Sequence, residues 1–214
     1  MPQIALPLTR RQAERGGAAT KGDRREQAIL DALESLLTEC PLTKVSIGQI
    51  AERAGVGRTA FYFYFASREA ALAALAKRSV APVYEAAHEY LYGDEDPEQE
   101  LARGVGAAVD LWIEQAHLFV ALIDAAVHDE TMLELWREQI EGLVTALSGR
   151  IERDSRRGLT WPGIDAEKTA RALAWMTERY CYMYLPQRRS GSRPRDEVAE
   201  ALEQVWRRSI YPGA

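Results

Sequence analysis

Five aromatic residues in unbroken succession, Phe61, Tyr62, Phe63, Tyr64 and Phe65, constrain this chain more than any other feature. They close the segment Lys44–Arg68, KVSIGQIAERAGVGRTAFYFYFASR, which reads as two short helices joined by a tight turn. The second helix, from about Arg58 to Tyr64, is too short to be stable alone, because nucleating a helix is costly. It must borrow stability from packing. A helix buries only one face, so some of these rings have to meet something other than the core.

The signals around this unit are local and specific. Ser46 is placed to cap the free amide of Gln49 while Gln49 reaches back to Ser46, with Val45 and Ile50 at the positions of a hydrophobic staple. Gly55 ends the first helix in a left-handed conformation, and Val56 plugs the turn. Phe61 and Phe65, four residues apart, share a buried face. Upstream, Ile29, Leu30, Leu33, Leu36 and Leu37 recur at helical spacing between about Asp23 and Thr38, and Pro41 fixes that helix's exit. Downstream, Ser67 caps an alanine-rich helix that is expected to continue past a kink at Pro82 as far as Gly93.

The rest of the chain carries helical periodicity only. Asp96 and Pro97 mark a helix start. Further helices are expected over about 97–115, 117–127, 129–157, 165–184 and 195–209, with a basic loop from Gln187 to Arg193. The acidic cluster Asp94, Glu95, Asp96, Glu98 and Glu100 is read as charge at a helix N-terminus. No strand signal and no internal repeat occur. The expected fold is all-α with about nine helices. Three parts are expected: a flexible basic arm (1–22), a helix-turn-helix head (23–80) and a helical body (81–214).

Charge is divided in the same way. The whole chain has a formal net charge of -5, yet residues 1–80 hold 12 Lys/Arg against 8 Asp/Glu. A basic head on an acidic body suits a polyanion-binding unit, since phosphates respond to the local field. Cys40 and Cys181 are far apart without metal-ligand spacing, so free thiols in a reducing compartment are expected. No apolar stretch approaches membrane-spanning length. The cytoplasm is the expected location.

In a helix-turn-helix the second helix enters the major groove while flanking groups hold phosphates. Arg58 and Thr59, at the start of that helix, are placed for base edges: arginine for guanine O6 and N7, the threonine methyl for a thymine methyl. Tyr62 suits a phosphate contact, as does Tyr64 unless it is half-buried. Lys44, Ser46 and Arg68 lie at helix starts that can face the backbone. Phe63, with no polar atom, fits either the core of the head or a thymine. In the body, Trp112, Phe119, Trp136, Trp175, Thr177, Tyr180 and Tyr184 are the candidate lining of a ligand pocket. His88, His117 and His128 lack metal or catalytic spacing, and no nucleophile motif occurs, so no catalysis, metal or cofactor is expected. A non-enzymatic helical protein-interaction module is the alternative reading.

The run IAERAGVGRTAFYFYFASREA, with ILDALESLL and VSIGQIA before it, resembles the N-terminal signature of the TetR family of transcriptional regulators. Gly55, Val56, Tyr62, Phe65 and Arg68 match its pattern. Gly57 departs from it where a serine or threonine cap is usual, as do Ala66 and Tyr64 where proline and histidine are common. LELW at 133–136, MTER at 176–179 and the ending VWRRSIY are similar to a mycobacterial branch of the family. The resemblance implies a repressor of double-stranded operator DNA, a homodimer joined through the last two long helices, and release by a hydrophobic small molecule. It also implies that Trp136 and Thr177 line the ligand channel.

Overall fold

The computed structural model describes residues 21–79, 81–185 and 193–213. Among these residues there are ten α-helices, one short 3-10 turn at Leu42–Lys44 and no strand. The basic arm and most of the Gln187–Arg193 loop lie outside the described residues. Lys21 and Gly22, expected in the arm, belong to the first turn of a helix.

Helix α1 (Lys21–Glu39) buries the stripe Ile29, Leu30, Leu33, Leu36 and Leu37. α2 (Ile47–Arg53) starts at the expected capping box: Ser46 Oγ accepts the Gln49 N–H at 3.2 Å, and Gln49 Oε1 accepts the Ser46 N–H at 2.8 Å. It ends at Gly55, with φ of 66°, where Gly55 N–H donates to Glu52 O and Val56 N–H to Ala51 O. These two bonds satisfy carbonyls that a helix end would otherwise orphan, and only glycine adopts that φ without strain. The turn therefore points α3 (Arg58–Tyr64) at a fixed angle across α2. Gly57 caps α3 with no side-chain bond, so Phe61 and Phe65, both buried with ring centroids 5.9 Å apart, anchor it instead.

α4 (Arg68–Arg78) begins where Ser67 caps Ala70. It packs on α1 and does not run on past Pro82 as one kinked helix. It stops at Ser79, and a separate helix, α5 (Ala81–Tyr92), follows, which makes ten helices among the described residues, in keeping with the about nine expected. Proline explains the break. Within a continuous helix Pro82 would crowd the Arg78 carbonyl and leave it without a donor, whereas in the first turn of α5 its missing N–H costs nothing.

The body consists of α5, α6 (Pro97–Glu114), α7 (Ala116–Ala126), α8 (Glu130–Arg156), α9 (Ala166–Tyr184) and α10 (Arg195–Ile210). α8 packs against α5, α7 and α9, and α6 lies between α5 and α10. At Gly104 the helices α5 and α6 come so close that a Cβ would stand 2.8 Å from Tyr90 Cβ. Arg150 and Arg153 of α8 donate to the carbonyls of Tyr90 and Leu91, closing the C-terminal end of α5 where the helix dipole favours cations.

The acidic cluster stands at the start of α6 as expected, with Asp96 capping and Glu98 and Glu100 in the first turn, and Glu100 has a partner beyond its own helix. It is 1% exposed and accepts from Arg150 Nη1 at 2.8 Å, while Arg150 Nε donates to Asp154 at 2.6 Å. Tyr211 O–H donates to the same Asp154 oxygen at 2.8 Å. A carboxylate this deep needs a cation, and α8 supplies it.

Candidate nucleic-acid interface and ligand cavity

On α3 the aromatic run divides by helical geometry. Phe61 and Phe65 turn inward; Tyr62 and Phe63 are 56% and 82% exposed. Phe63 is therefore outside the core of the head, which removes one of its two readings. Tyr64 is half-buried and meets Phe63 edge-on, with ring centroids 5.1 Å apart. Lys44, Ser46, Arg58 and Thr59 are exposed. The Arg58 guanidinium lies over the first turn of α2: a methyl on Gly48 would come within 2.5 Å of its Nη2. Arg58 and Ser46 thus belong to one patch, formed where the starts of α2 and α3 meet.

Arg68 differs from its expected place facing phosphates. Its Nη1 donates to the carbonyls of Leu42 and Val45 at 3.0 and 2.8 Å, and its Nε to Glu69 at 2.7 Å. The Leu42 carbonyl already closes the 3-10 turn by accepting the Val45 N–H at 2.9 Å, and the start of α4 comes beside it so that Arg68 adds a second donor there and one at Val45. Arg68 therefore holds the loop that carries Lys44 and Ser46.

In the body, a cavity of about 140 Å³ runs from Ala76 on α4 and Ser79 at its C-cap, past Tyr90, Gly104 and Trp112, to Ala174, Thr177 and Glu178 on α9 and Trp206 on α10. Of the expected lining, Trp112, Phe119, Trp136 and Thr177 are present; Trp112 and Trp136 flank Phe119 with centroids 4.7 and 6.1 Å away. Trp175, Tyr180 and Tyr184 are not part of it. Tyr180 and Tyr184 carry the Thr177 side of α9 on by roughly one and two turns, past the end of the cavity. They pack on each other at 4.7 Å instead. Trp175 is on another face, beside Glu141 of α8.

Glu178, Gln139, Tyr90 and Trp206 were missed by sequence reasoning. Glu178 had a signal: it stands four residues after Ala174 and three before Cys181, both buried, so it occupies the apolar stripe of α9. Thr177 Oγ1 is occupied, accepting the Trp206 indole N–H at 2.8 Å. Glu178 is 3% exposed, and among the described residues neither carboxylate oxygen has a donor within hydrogen-bond geometry; the buried Trp136 indole N–H faces this carboxylate but also falls short of a hydrogen bond. Arg179 Nε stands 3.5 Å from Glu178 Oε2. The neighbouring Cys181 thiol is pushed up to about 12 by burial, with the Glu178 charge adding to it, so it is an inert packing group.

Burial also raises the Glu178 carboxyl above its ordinary 4.5, with Arg179 and the Trp136 N–H pulling the other way. The unfolded chain then releases this proton first. Above 4.5 the folded state binds more protons than the unfolded one, so the contribution of Glu178 to stability falls as pH rises through its folded value. Urea melts of wild type and Glu178→Gln between about pH 4 and 8 check the sign. The stability of wild type relative to the variant should decline with pH, and a rise would contradict the burial argument.

Among the described residues no group of three His, Cys, Asp or Glu side chains is placed to hold a metal ion, and no single helix is long and apolar enough to cross a membrane.

Residues 29–75 match the family described as bacterial regulatory proteins, tetR family, and residues 101–212 match the C-terminal domain of the transcriptional regulator EthR. The chain is 30% identical over 211 residues to the HTH-type transcriptional regulator EthR of Mycobacterium tuberculosis, covering 98% of this chain and 95% of that one. It is 28% identical over 206 residues to the regulator of the same name from Mycolicibacterium smegmatis, covering 95% and 94%. Its fold is similar to that of a TetR-family regulator from Mesorhizobium loti, with a TM-score of 0.70, 18% identity and coverage of 90% and 99%. It is also similar to SmeT, the repressor of a multidrug efflux pump of Stenotrophomonas maltophilia, with a TM-score of 0.69, 16% identity and coverage of 88% and 91%.

Proposed function

Since the chain belongs to the TetR family of helix-turn-helix transcription regulators, we propose that it is a cytoplasmic repressor. It binds a palindromic operator as a homodimer and leaves it when a hydrophobic small molecule fills the body. Residues 23–80 form the DNA-binding domain and 81–214 the ligand-binding and dimerisation domain. The observation that carries this reading is the outer face of α3, where Tyr62 and the apolar ring of Phe63 stand in water beside Arg58 and Thr59. Together the exposed rings of Tyr62 and Phe63 make a small aromatic surface on α3, and the thymine methyl is an apolar group that Phe63 can meet. In this reading Arg58 and Thr59 read bases, Tyr62 grips a phosphate with Lys44 and Ser46, and Arg68 acts by positioning their loop.

The switch follows from the reach of the cavity. Ala76 and Ser79 bring its wall to the end of α4. Arg78, in the same turn, is ion-paired to Asp31 and Glu34 of α1 at 2.5 Å each. A ligand that displaces the end of α4 therefore moves the head with it. Two heads must present α3 to successive major grooves about 34–36 Å apart, so a change in their spacing releases the operator. The ligand acts only by preferring the released geometry. The dimer forms through α9 and α10, whose Met183 and Val205 are 46% and 44% exposed.

Selection of bound duplexes from a random library tests this reading. The recovered sites should be palindromes with half-sites about 10 base pairs apart, or a multiple of that. Recovery of no preferred sequence at low salt would overturn it. On a recovered site, Tyr62→Phe should weaken binding about 10-fold, the worth of one hydrogen bond to a charged group, and equally across sequence variants. A changed sequence preference would reject the phosphate role.

A further inference from the structure

We infer that the cavity is built for a hydrophobic amine, its cationic nitrogen seated on Glu178 and its apolar body lying against Trp112, Phe119 and Trp136. The inference rests on the reading of this cavity as the effector site. The polar groups of the wall are already engaged at two points. Thr177 accepts from Trp206, and the Tyr90 and Tyr211 hydroxyls meet at 3.2 Å. Glu178 is different. It is buried, it lines the cavity, and among the described residues both its oxygens lack a hydrogen bond. Its cationic neighbour among the described residues, Arg179, is itself 56% exposed, lies over the Tyr182 ring at 4.9 Å and is not part of the cavity wall.

A buried acceptor without a donor is costly, and a charged one more so. Each ligand class changes that cost differently. An anion meets like charge in a medium of low dielectric. A wholly apolar molecule strips away the remaining water and returns nothing. A protonated amine supplies both the charge and the donors, and indole rings, of which Trp112 and Trp136 stand in the wall, are the best aromatic surfaces for a cation. The size is limited as well. An apolar protein cavity of about 150 Å³ holds one benzene. At about 140 Å³ this one suits a single ring, or a short chain, carrying the nitrogen.

The test compares benzylamine, benzyl alcohol and benzoate on the full chain by calorimetry and by quenching of the cavity tryptophans. The amine should bind wild type at least about 10-fold tighter than the alcohol, as expected for a charge pair at low dielectric, and the carboxylate weakest. That advantage should persist from about 0.1 to about 0.5 M salt, because a buried pair is poorly screened. In Glu178→Gln the ratio of amine to alcohol should fall to near one, with the alcohol little changed. Equal binding by wild type, an advantage lost in salt, or an advantage retained by Glu178→Gln would each overturn the proposal. If that variant does not fold, the wild-type ratio and its salt dependence decide alone. Operator binding is read separately. An amine that binds as stated without altering operator affinity upholds the amine site and overturns the effector reading. Release of the operator by the amine and the alcohol at equal concentrations, with equal binding, upholds the effector reading and overturns the amine site.

Discussion

Phe61→Ala should destabilise the protein by about 3–5 kcal/mol, the usual cost of emptying a buried phenylalanine site. Phe61 is fully buried and is the main anchor of a seven-residue helix whose N-cap makes no side-chain bond. Its ring meets Phe65 at 5.9 Å and the edge of Tyr62 at 5.8 Å, so the cavity would open under both neighbours. The control lies two residues along the same helix. Phe63→Ala removes an equal ring from a position that is 82% exposed, and should change stability by less than about 0.5 kcal/mol. Denaturant melts of the two variants check the contrast, and hydrogen exchange should show the Phe61→Ala loss concentrated in α2 and α3. Similar costs at both positions would mean that Phe63 is packed in solution. Operator binding should reverse the order of specificity: Phe63→Ala folds normally yet loses affinity.

Arg150→Met should be as damaging for a different reason. The substitution roughly conserves volume but leaves Glu100 and Asp154 as buried carboxylates without their shared cation, and the Tyr90 carbonyl without its donor. Breaking a buried pair from one side typically costs about 3–5 kcal/mol. The comparison is the exposed pair Arg171–Glu141, at 3.0 Å, where Arg171→Met should cost under about 1 kcal/mol. Urea melts read by circular dichroism measure both. Adding Glu100→Gln and Asp154→Asn to Arg150→Met should recover part of the loss, since the unpaired charges are then gone. A triple variant no more stable than Arg150→Met would show that the damage came from packing rather than charge.

The head was legible because its determinants are close in sequence. The Ser46–Gln49 capping box spans three residues, and the turn at Gly55 is made by bonds reaching back three and five residues. Phe61 and Phe65 could be assigned inward from their spacing of four alone. The body was legible as helices and much less so as a site. Arg150 and Asp154, at a spacing of four, look like an ordinary surface pair on an amphipathic helix. Glu100 looks like first-turn charge. What makes them buried is the end of α5, whose Tyr90 carbonyl lies 60 residues before Arg150. The cavity gave the same lesson. Trp175, Tyr180 and Tyr184 share a helix with Thr177 and have the right chemistry, but they stand on the wrong face or at the wrong height.

The sequence by itself determined where nearly every helix begins and ends, which turn joins α2 to α3, and which two rings of the aromatic run close the core of the head. These follow from capping, from glycine at a positive φ and from helical period, all settled within a few residues of chain. The tertiary structure decided that Phe63 faces water, that Arg68 holds a loop rather than reaching outward, and that Glu178 is buried against a cavity. Helical period states which residues share a face. What lies opposite that face is supplied by helices dozens of residues away, and burial, charge cost and cavity shape depend on that opposite surface.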